Sequence, residues 1–193
     1  GIFPWYSAGE PILWWSPDPR MVLRPDAIRI TRSLRRILRQ KRFEVRCDTA
    51  FSQVVAACAE PREPGGGTWI TPEMHAAYDR MHELGYAHSV ESWHEGRLVG
   101  GLYGMAVGRV FFGESMFSRM SDSSKAALAH LARHLEGVGY AVIDCQMVTS
   151  HLATMGASPV PREAFVAGLV DWTREGPPPG RWATNLMGDI NWS

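Results

Sequence analysis

Residues 86–114, YAHSVESWHEGRLVGGLYGMAVGRVFFGE, decide the fold. Apolar and polar residues alternate from Tyr86 to His94, and Glu95-Gly96 then supplies a tight turn. The alternation resumes over 97–107, Gly108 breaks it again, and a third run follows over 109–114. A period of two interrupted by short turn words predicts an antiparallel meander of three strands, with Glu114 ending the third. Gly100, Gly101 and Gly104 crowd the middle strand. Glycine inside a strand marks a bulge or the close approach of a ligand to the backbone.

Working outward, Pro72 opens a helical pattern with apolar residues at Met74, Ala77, Tyr78, Met81 and Leu84, closed by Gly85. Downstream, a helix is expected over 122–137 with Leu128, Leu131 and Leu135 as its buried stripe, then a strand at 140–145 and helices near 149–155 and 161–174. Upstream, a strand at 43–48 and a helix at 50–59 run into the Pro- and Gly-rich loop 61–67, the best internal boundary. The division expected is a Trp- and Arg-rich part over 1–60 and a catalytic domain over 61–193. Residues 1–20 read as irregular structure with short strands, and Pro177-Pro178-Pro179-Gly180 as a linker to a loosely held C-terminus. The class is α/β in the mixed sense, a central and mostly antiparallel sheet flanked by helices.

The strand near 141 carries the chemistry. Ala141, Val142 and Ile143 read as buried, and they run into Asp144 and Gln146. Side chains alternate across a strand, so Asp144 and Gln146 share a face and Cys145 points the other way as a small core residue. A carboxylate and an amide side by side at a buried strand end require hydrogen-bond partners or a ligand; capping of the following turn is the simpler alternative.

The formal charge of zero conceals an asymmetry. Arg20, Arg24, Arg29, Arg32, Arg35, Arg36, Arg39, Lys41, Arg42 and Arg46 are opposed within their stretch only by Asp26 and Glu44, leaving it at +8 and the rest of the chain at −8. Arginine's planar fork suits phosphate, and unopposed cations repel one another unless an anion is expected. A helix over about 31–41, capped by Asp26 or Thr31, buries Leu34, Ile37 and Leu38 and leaves Arg32, Arg35, Arg36 and Arg39 outside. A solvated helix face is the alternative reading. The apolar runs fall far short of the roughly 20 residues that span a membrane. Cys47, Cys58 and Cys145 lack metal spacing and suit a reducing cytoplasm. His130 and His134 sit at i,i+4 without a partnering Glu motif, a surface pair rather than a zinc site. No Gly-x-Ser-x-Gly elbow is present.

Longer words add a resemblance: Gly1-Ile2-Phe3-Pro4-Trp5-Tyr6, then Ile12-Leu13-Trp14-Trp15-Ser16-Pro17-Asp18-Pro19-Arg20, Thr68-Trp69-Ile70-Thr71, His82-Glu83-Leu84-Gly85-Tyr86-Ala87-His88-Ser89, Phe112-Gly113-Glu114-Ser115-Met116-Phe117-Ser118-Arg119 and Ile143-Asp144-Cys145-Gln146. Collinear from residue 1 to about 165, they closely resemble the leucyl/phenylalanyl-tRNA–protein transferase family, bacterial enzymes that add Leu or Phe to protein N-termini. The resemblance implies the GNAT acyltransferase fold, whose order of helix, three-strand meander, helix, strand and helix matches the pattern above. It implies Leu-tRNA or Phe-tRNA as donor, a protein with N-terminal Lys or Arg as acceptor, tagging for degradation under the N-end rule, and action as a cytoplasmic monomer. No cofactor or metal is expected, since aminolysis of an activated ester is downhill and needs positioning, oxyanion stabilisation and proton management.

By the same resemblance Asp144 and Gln146 are the catalytic pair, with Glu114 a third site residue. Gln146, which cannot act as a free base, would accept from and orient the amine, and Asp144 would polarise it, face a basic acceptor or manage the proton. Leu102, Phe111, Met116 and Ile143 align with the Leu/Phe pocket, although all four also suit a plain core. Trp5, Trp69 and Tyr78 align with contacts to the tRNA 3′-adenosine, where stacking is apt; helical spacing gives Tyr78 a competing packing role, as loop covering does for Trp5. Trp14 and Trp15 read as packing. Arg32, Arg35, Arg36, Arg39 and Arg42 are the expected backbone contacts to tRNA. Two departures stand out: Thr149 occupies a place where the family commonly has Asn, and the family's usual extra N-terminal segment, with its Gly-Gly-Asp-Leu word, does not precede Gly1.

Three other functions compete. An acetyl-CoA-dependent GNAT enzyme would carry a glycine-rich pyrophosphate loop at the start of the central helix; Met120-Ser121-Asp122-Ser123-Ser124-Lys125 has no glycine and an unfavourable Asp122. Transfer from tRNA to a small-molecule amine and a silent tRNA-binding module are the others, the last disfavoured by the intact Asp144, Gln146 and Glu114.

Overall fold

The computed structural model describes residues 2–6, 9–61, 68–183 and 190–192. Strands β1 (Phe3–Pro4) and β2 (Trp14–Trp15) form a small antiparallel pair. Strand β3 (Arg20–Leu23) follows, buried throughout, then a single 3-10 turn at Pro25–Ala27 and helix α1 (Arg32–Arg39). Thr31 caps α1 by accepting from the Leu34 N–H; Asp26 instead pairs with Arg24. Strand β4 (Glu44–Cys47) and helix α2 (Phe51–Ala59) come next. No side chain of the preceding Ala50 can cap α2. The buried carboxylate of Glu91 substitutes, accepting from the N–H groups of Thr49 and Ala50 at 2.9 and 2.8 Å.

Helix α3 (Pro72–Glu83) is capped by Thr71, and the meander is β5 (Ala87–His94), β6 (Arg97–Val107) and β7 (Val110–Ser118). Beyond it lie α4 (Ser123–Gly137), β8 (Val142–Gln146), α5 (Ser150–Thr154), β9 (Ser158–Val160) and α6 (Arg162–Trp172). Seven strands pair in the order β4-β5-β6-β7-β8-β3-β9, and every pairing is antiparallel except β7 with β8. Strands β3 and β4, on the N-terminal side of the division expected near residue 60, belong to this sheet; residues 62–67 of the expected boundary loop lie outside the described residues.

Alternation along the strands makes two cores. Leu102, Phe111 and Ile143 face α1 and α4, whereas Tyr103, Val110 and Val142 turn to the opposite face, which α2, α3 and α6 cover.

Four expectations are corrected. The third meander strand continues past Glu114 to Ser118, because Glu114 is the extra residue of a bulge opposite Tyr103 and Gly104 rather than a terminus. The middle-strand glycines serve that bulge and tight packing, not a ligand: a Cβ at Gly100 would lie 2.2 Å from Ser123 Oγ, and one at Gly104 2.6 Å from the Phe111 ring. The histidine pair is not a plain surface pair, since His130 is buried and bonded through Nδ1 to the Ala126 carbonyl, while His134 is half-buried and packs against Trp182. The described part of the C-terminus is held: the Gly180 N–H bonds the Gly85 carbonyl, Trp182 stacks on His88 and Trp192 is only 8% exposed. Strands β3 and β9 had no counterpart in the periodicity, the first because Arg20 reads as surface charge. The second is three residues with a central proline, tolerable because β9 is an edge.

Candidate active site

Strands β7 and β8 pair only from Val110↔Val142 to Phe112↔Asp144, yet β7 runs six residues further. Where they part, a cavity of roughly 900 Å³ opens. Parallel pairing cannot continue because the Glu114 bulge turns β7 while β8 swings to β3, with its own irregularity between Met21 and Val22. Gln146 ends β8 at φ +62°, a left-handed conformation rare for a side chain of its size.

Asp144 holds that conformation. Its Oδ1 accepts the Gln146 N–H at 2.9 Å, and its carboxylate is gripped by the Arg20 guanidinium, Nε to Oδ1 at 2.8 Å and Nη2 to Oδ2 at 2.6 Å. Both side chains are sealed, at 0% and 1% exposure, with the guanidinium 5.3 Å from the Phe3 ring and 5.0 Å from that of Phe165. Arg20 is therefore no part of the phosphate-facing block in which its position placed it. A carboxylate so enclosed, with its counter-charge in contact, acts on the cavity through Gln146 and through its field.

Gln146 reaches across the gap and donates from Nε2 to Glu114 Oε2 at 3.2 Å. With Nε2 so engaged, the amide oxygen of Gln146 has no hydrogen-bond partner among the described residues. Burial pushes the Glu114 carboxyl up to about 7, opposed by hydrogen bonds from Tyr78 and Gln146, raised further by the charge of Asp144 and lowered by Arg20. A carboxyl raised toward neutrality has the kind of pKa that suits proton transfer. Burial likewise pushes the Cys145 thiol up to about 12, which suits a core residue and not a nucleophile.

The apolar lining of the cavity includes Leu102, Phe111, Met116 and Ile143, with Leu128 and Leu131 of α4 added. Sequence periodicity placed those two leucines in a core stripe, and nothing local distinguishes core from cavity wall. Phe3, Trp5 and Trp69 line the same cavity and supply an aromatic rim. Trp5 is 45% exposed, and the Trp15 indole N–H bonds its carbonyl at 3.0 Å. Trp14 and Trp15 are themselves exposed rather than packed. Tyr78 does not reach the rim: it is buried between Trp69 and Tyr103, edge-on to both, with its hydroxyl directed to Glu114. The aromatic positions that sequence grouped together thus divide into a rim pair and a partner of the acid. Arg32, Arg35, Arg36 and Arg39 are exposed on α1 with no carboxylate partner among the described residues; Arg42 lies over the Phe43 ring at 5.6 Å. No group of three or more metal-capable side chains occurs among the described residues, and none of their helices is long and apolar enough to cross a membrane.

Comparisons with known proteins show which proteins this chain is similar to. A family model described as Leucyl/phenylalanyl-tRNA protein transferase matches residues 22–170, and one for the N-terminal domain of the same proteins matches residues 1–18. Among curated relatives, the leucyl/phenylalanyl-tRNA–protein transferase of Azoarcus sp. (strain BH72) is 70% identical over the whole chain, which covers 82% of that protein. That of Aromatoleum aromaticum is 68% identical over 99% of this chain and 81% of its own length, and that of Thiobacillus denitrificans 59% over 94% and 80%.

Two outcomes follow from the buried charges. Arg20→Met leaves the Asp144 carboxylate enclosed without a counter-charge and should lower unfolding stability by about 3–5 kcal/mol in urea titration; Arg20→Met/Asp144→Asn should recover part of that loss. For Glu114 the folded pKa lies above the unfolded value of 4.5, so the folded chain keeps a proton the unfolded chain has released. Stability gained from this group is complete below pH 4.5 and disappears as pH rises through about 7. Urea unfolding across pH 4.5–8 should show wild type declining relative to Glu114→Gln over that window, and parallel curves would refute the assignment.

Proposed function

The chain belongs to the leucyl/phenylalanyl-tRNA protein transferase family, and from that premise we propose that it moves a leucyl or phenylalanyl group from aminoacyl-tRNA to the N-terminal amine of a protein beginning with Lys or Arg, marking it for degradation in the cytoplasm. The observation that carries this reading is the lining of one cavity, which holds apolar side chains, the Gln146–Glu114 pair and aromatic rings together. An apolar amino-acid side chain, a reacting ester carbonyl and a terminal adenosine need those three kinds of surface in one place. The parting of β7 from parallel β8 after a three-strand meander and α4 also supports a GNAT-like fold.

In this mechanism the chamber seats the Leu or Phe side chain, and Trp5 and Trp69 take the adenine face. Gln146 accepts an N–H of the acceptor amine through its amide oxygen, aiming the nitrogen lone pair at the ester carbonyl. Attack forms the C–N bond; collapse of the tetrahedral intermediate breaks the bond to the ribose oxygen. Glu114 takes the proton that the nitrogen loses and passes it to the departing ribose oxygen, which leaves as a hydroxyl. Asp144, fixed by Arg20, keeps Gln146 in place and keeps the local potential negative where the amine becomes cationic. No ATP enters, because the ester already holds the driving force. Asp122, at the start of α4 where a coenzyme pyrophosphate would sit, disfavours the acetyl-CoA alternative.

The test uses the purified protein, labelled Leu-tRNA and peptides beginning with Arg, Lys or Ala. Transfer to the first two peptides without ATP or CoA is expected; acetyl-CoA binding by calorimetry with no transfer overturns the reading, as does transfer confined to free diamines. In single turnover, Gln146→Ala and Asp144→Asn should each lose on the order of 10²–10³ in rate, less than additively when combined, with aminoacyl-tRNA binding retained. Stability loss with normal rates would move catalysis elsewhere. Neutralising Arg32, Arg35, Arg36 and Arg39 together should flatten the salt dependence of tRNA binding while sparing the rate at saturating tRNA, because fewer counterions are released. An unchanged slope would remove α1 from the tRNA interface.

A further inference from the structure

Phe111 is a fully buried wall of the cavity, and one of the residues that hold it lies far from it in sequence. Its ring, 0% exposed, lies against Gly104, where a Cβ would come within 2.6 Å of Cε1 and 2.8 Å of Cζ. No side chain at Gly104 could coexist with the ring in this position. The second contact is Trp182, whose ring centroid is 5.9 Å from that of Phe111 at an interplanar angle of 34°. Trp182 is not itself a wall of the cavity, so it stands one layer behind it.

Trp182 is firmly placed. Its N–H donates to Asp48 Oδ2 at 3.0 Å, and its indole stacks on His88 with centroids 4.0 Å apart and planes within 4°. His88 Nδ1 is 2.8 Å from the same Asp48 oxygen, so one carboxylate fixes both the stacking ring and the backbone of the segment stacked upon it. The edge of His134 approaches the indole at 5.1 Å, and the Cys47 thiol donates to the Ala183 carbonyl at 3.0 Å. Trp182 lies beyond residues 22–170, the span of the family match.

We propose that Trp182 is a positioning residue that sets the depth of the chamber through Phe111, and with it the balance between leucyl and phenylalanyl donors. This rests on the transferase reading of the cavity. A packed ring has no freedom to retreat, and removing its backing leaves a void into which it can tilt. A deeper chamber gains contacts for an aromatic side chain and loses them for the shorter leucyl group. A pocket discriminates apolar side chains differing by a few carbons by roughly 10–200-fold, so a shift of about tenfold is the size to expect.

The experiment is a competition between Leu-tRNA and Phe-tRNA for transfer to one Arg-initiated peptide, reading the ratio of kcat/KM for the two donors. Trp182→Ala should raise the Phe-to-Leu ratio about tenfold, mostly through KM, and Trp182→Phe should stay near the wild-type ratio. If Trp182→Ala does not fold, Trp182→Met, which fills more of the void, is read in its place and should shift the ratio in the same direction by a smaller factor. A folded variant that loses activity on both donors equally, with the ratio unchanged, overturns the proposal. Absence of transfer by the wild type from either donor instead overturns the reading of the cavity on which the proposal rests.

Discussion

The bidentate pair of Arg20 with Asp144 is the interaction on which the centre of this molecule depends. Two charges removed from water cost several kcal/mol each unless geometry and neighbours compensate. Here both guanidinium contacts are short, aromatic rings of Phe3 and Phe165 flank the cation, and the carboxylate has a further donor in the Gln146 N–H. The pair joins β3 to β8 through side chains as well as ladder bonds. Its flanking rings bring β1 and α6 to the same point. Removing either charge would strand the other, so the arrangement accepts no single substitution lightly.

That anchor makes the cavity possible. Strand β8 can leave β7 because β3 receives it on the other side, and the Glu114 bulge turns β7 away at the same level. Polar groups at a strand end that would otherwise cap a turn are thereby aimed across a gap at one another. Charge is sorted along the same lines: one ion pair sealed inside, one carboxyl at the wall whose pKa burial raises, and arginines with no carboxylate partner among the described residues on the exposed face of α1. Enclosed charges shape local geometry, while exposed ones act at range on a polyanion and yield to salt.

Much of this was legible in the sequence. The meander and α1 through α6 could be read because each depends on local rules: alternation, the helical period, and Thr31 and Pro72 at helix starts. Asp144 and Gln146 stood out as polar residues ending an apolar run, whereas Glu114 was singled out by resemblance and its place in a bulge was not legible. The arginines of α1 were legible by the same local rules, since Leu34 and Leu38 dictate which face they occupy. Patterns of this kind are properties of a short stretch and its solvent, and they survive whatever the distant chain does.

Tertiary structure decided the rest. Arg20 looks identical in sequence to its exposed arginine neighbours, and only contact with a residue 124 positions away makes it an interior cation. Tyr78 has the composition of a stacking residue, yet Trp69 and Tyr103 cover it and leave its hydroxyl to Glu114. The pull of Trp182 onto the sheet, against the loose tail that a proline run suggested, depends on Asp48 and His88 being brought together by the pairing of β4 with β5. Local periodicity determines which face a residue takes; which partner awaits it on that face is set by chain closure over long separations, and no local pattern encodes that.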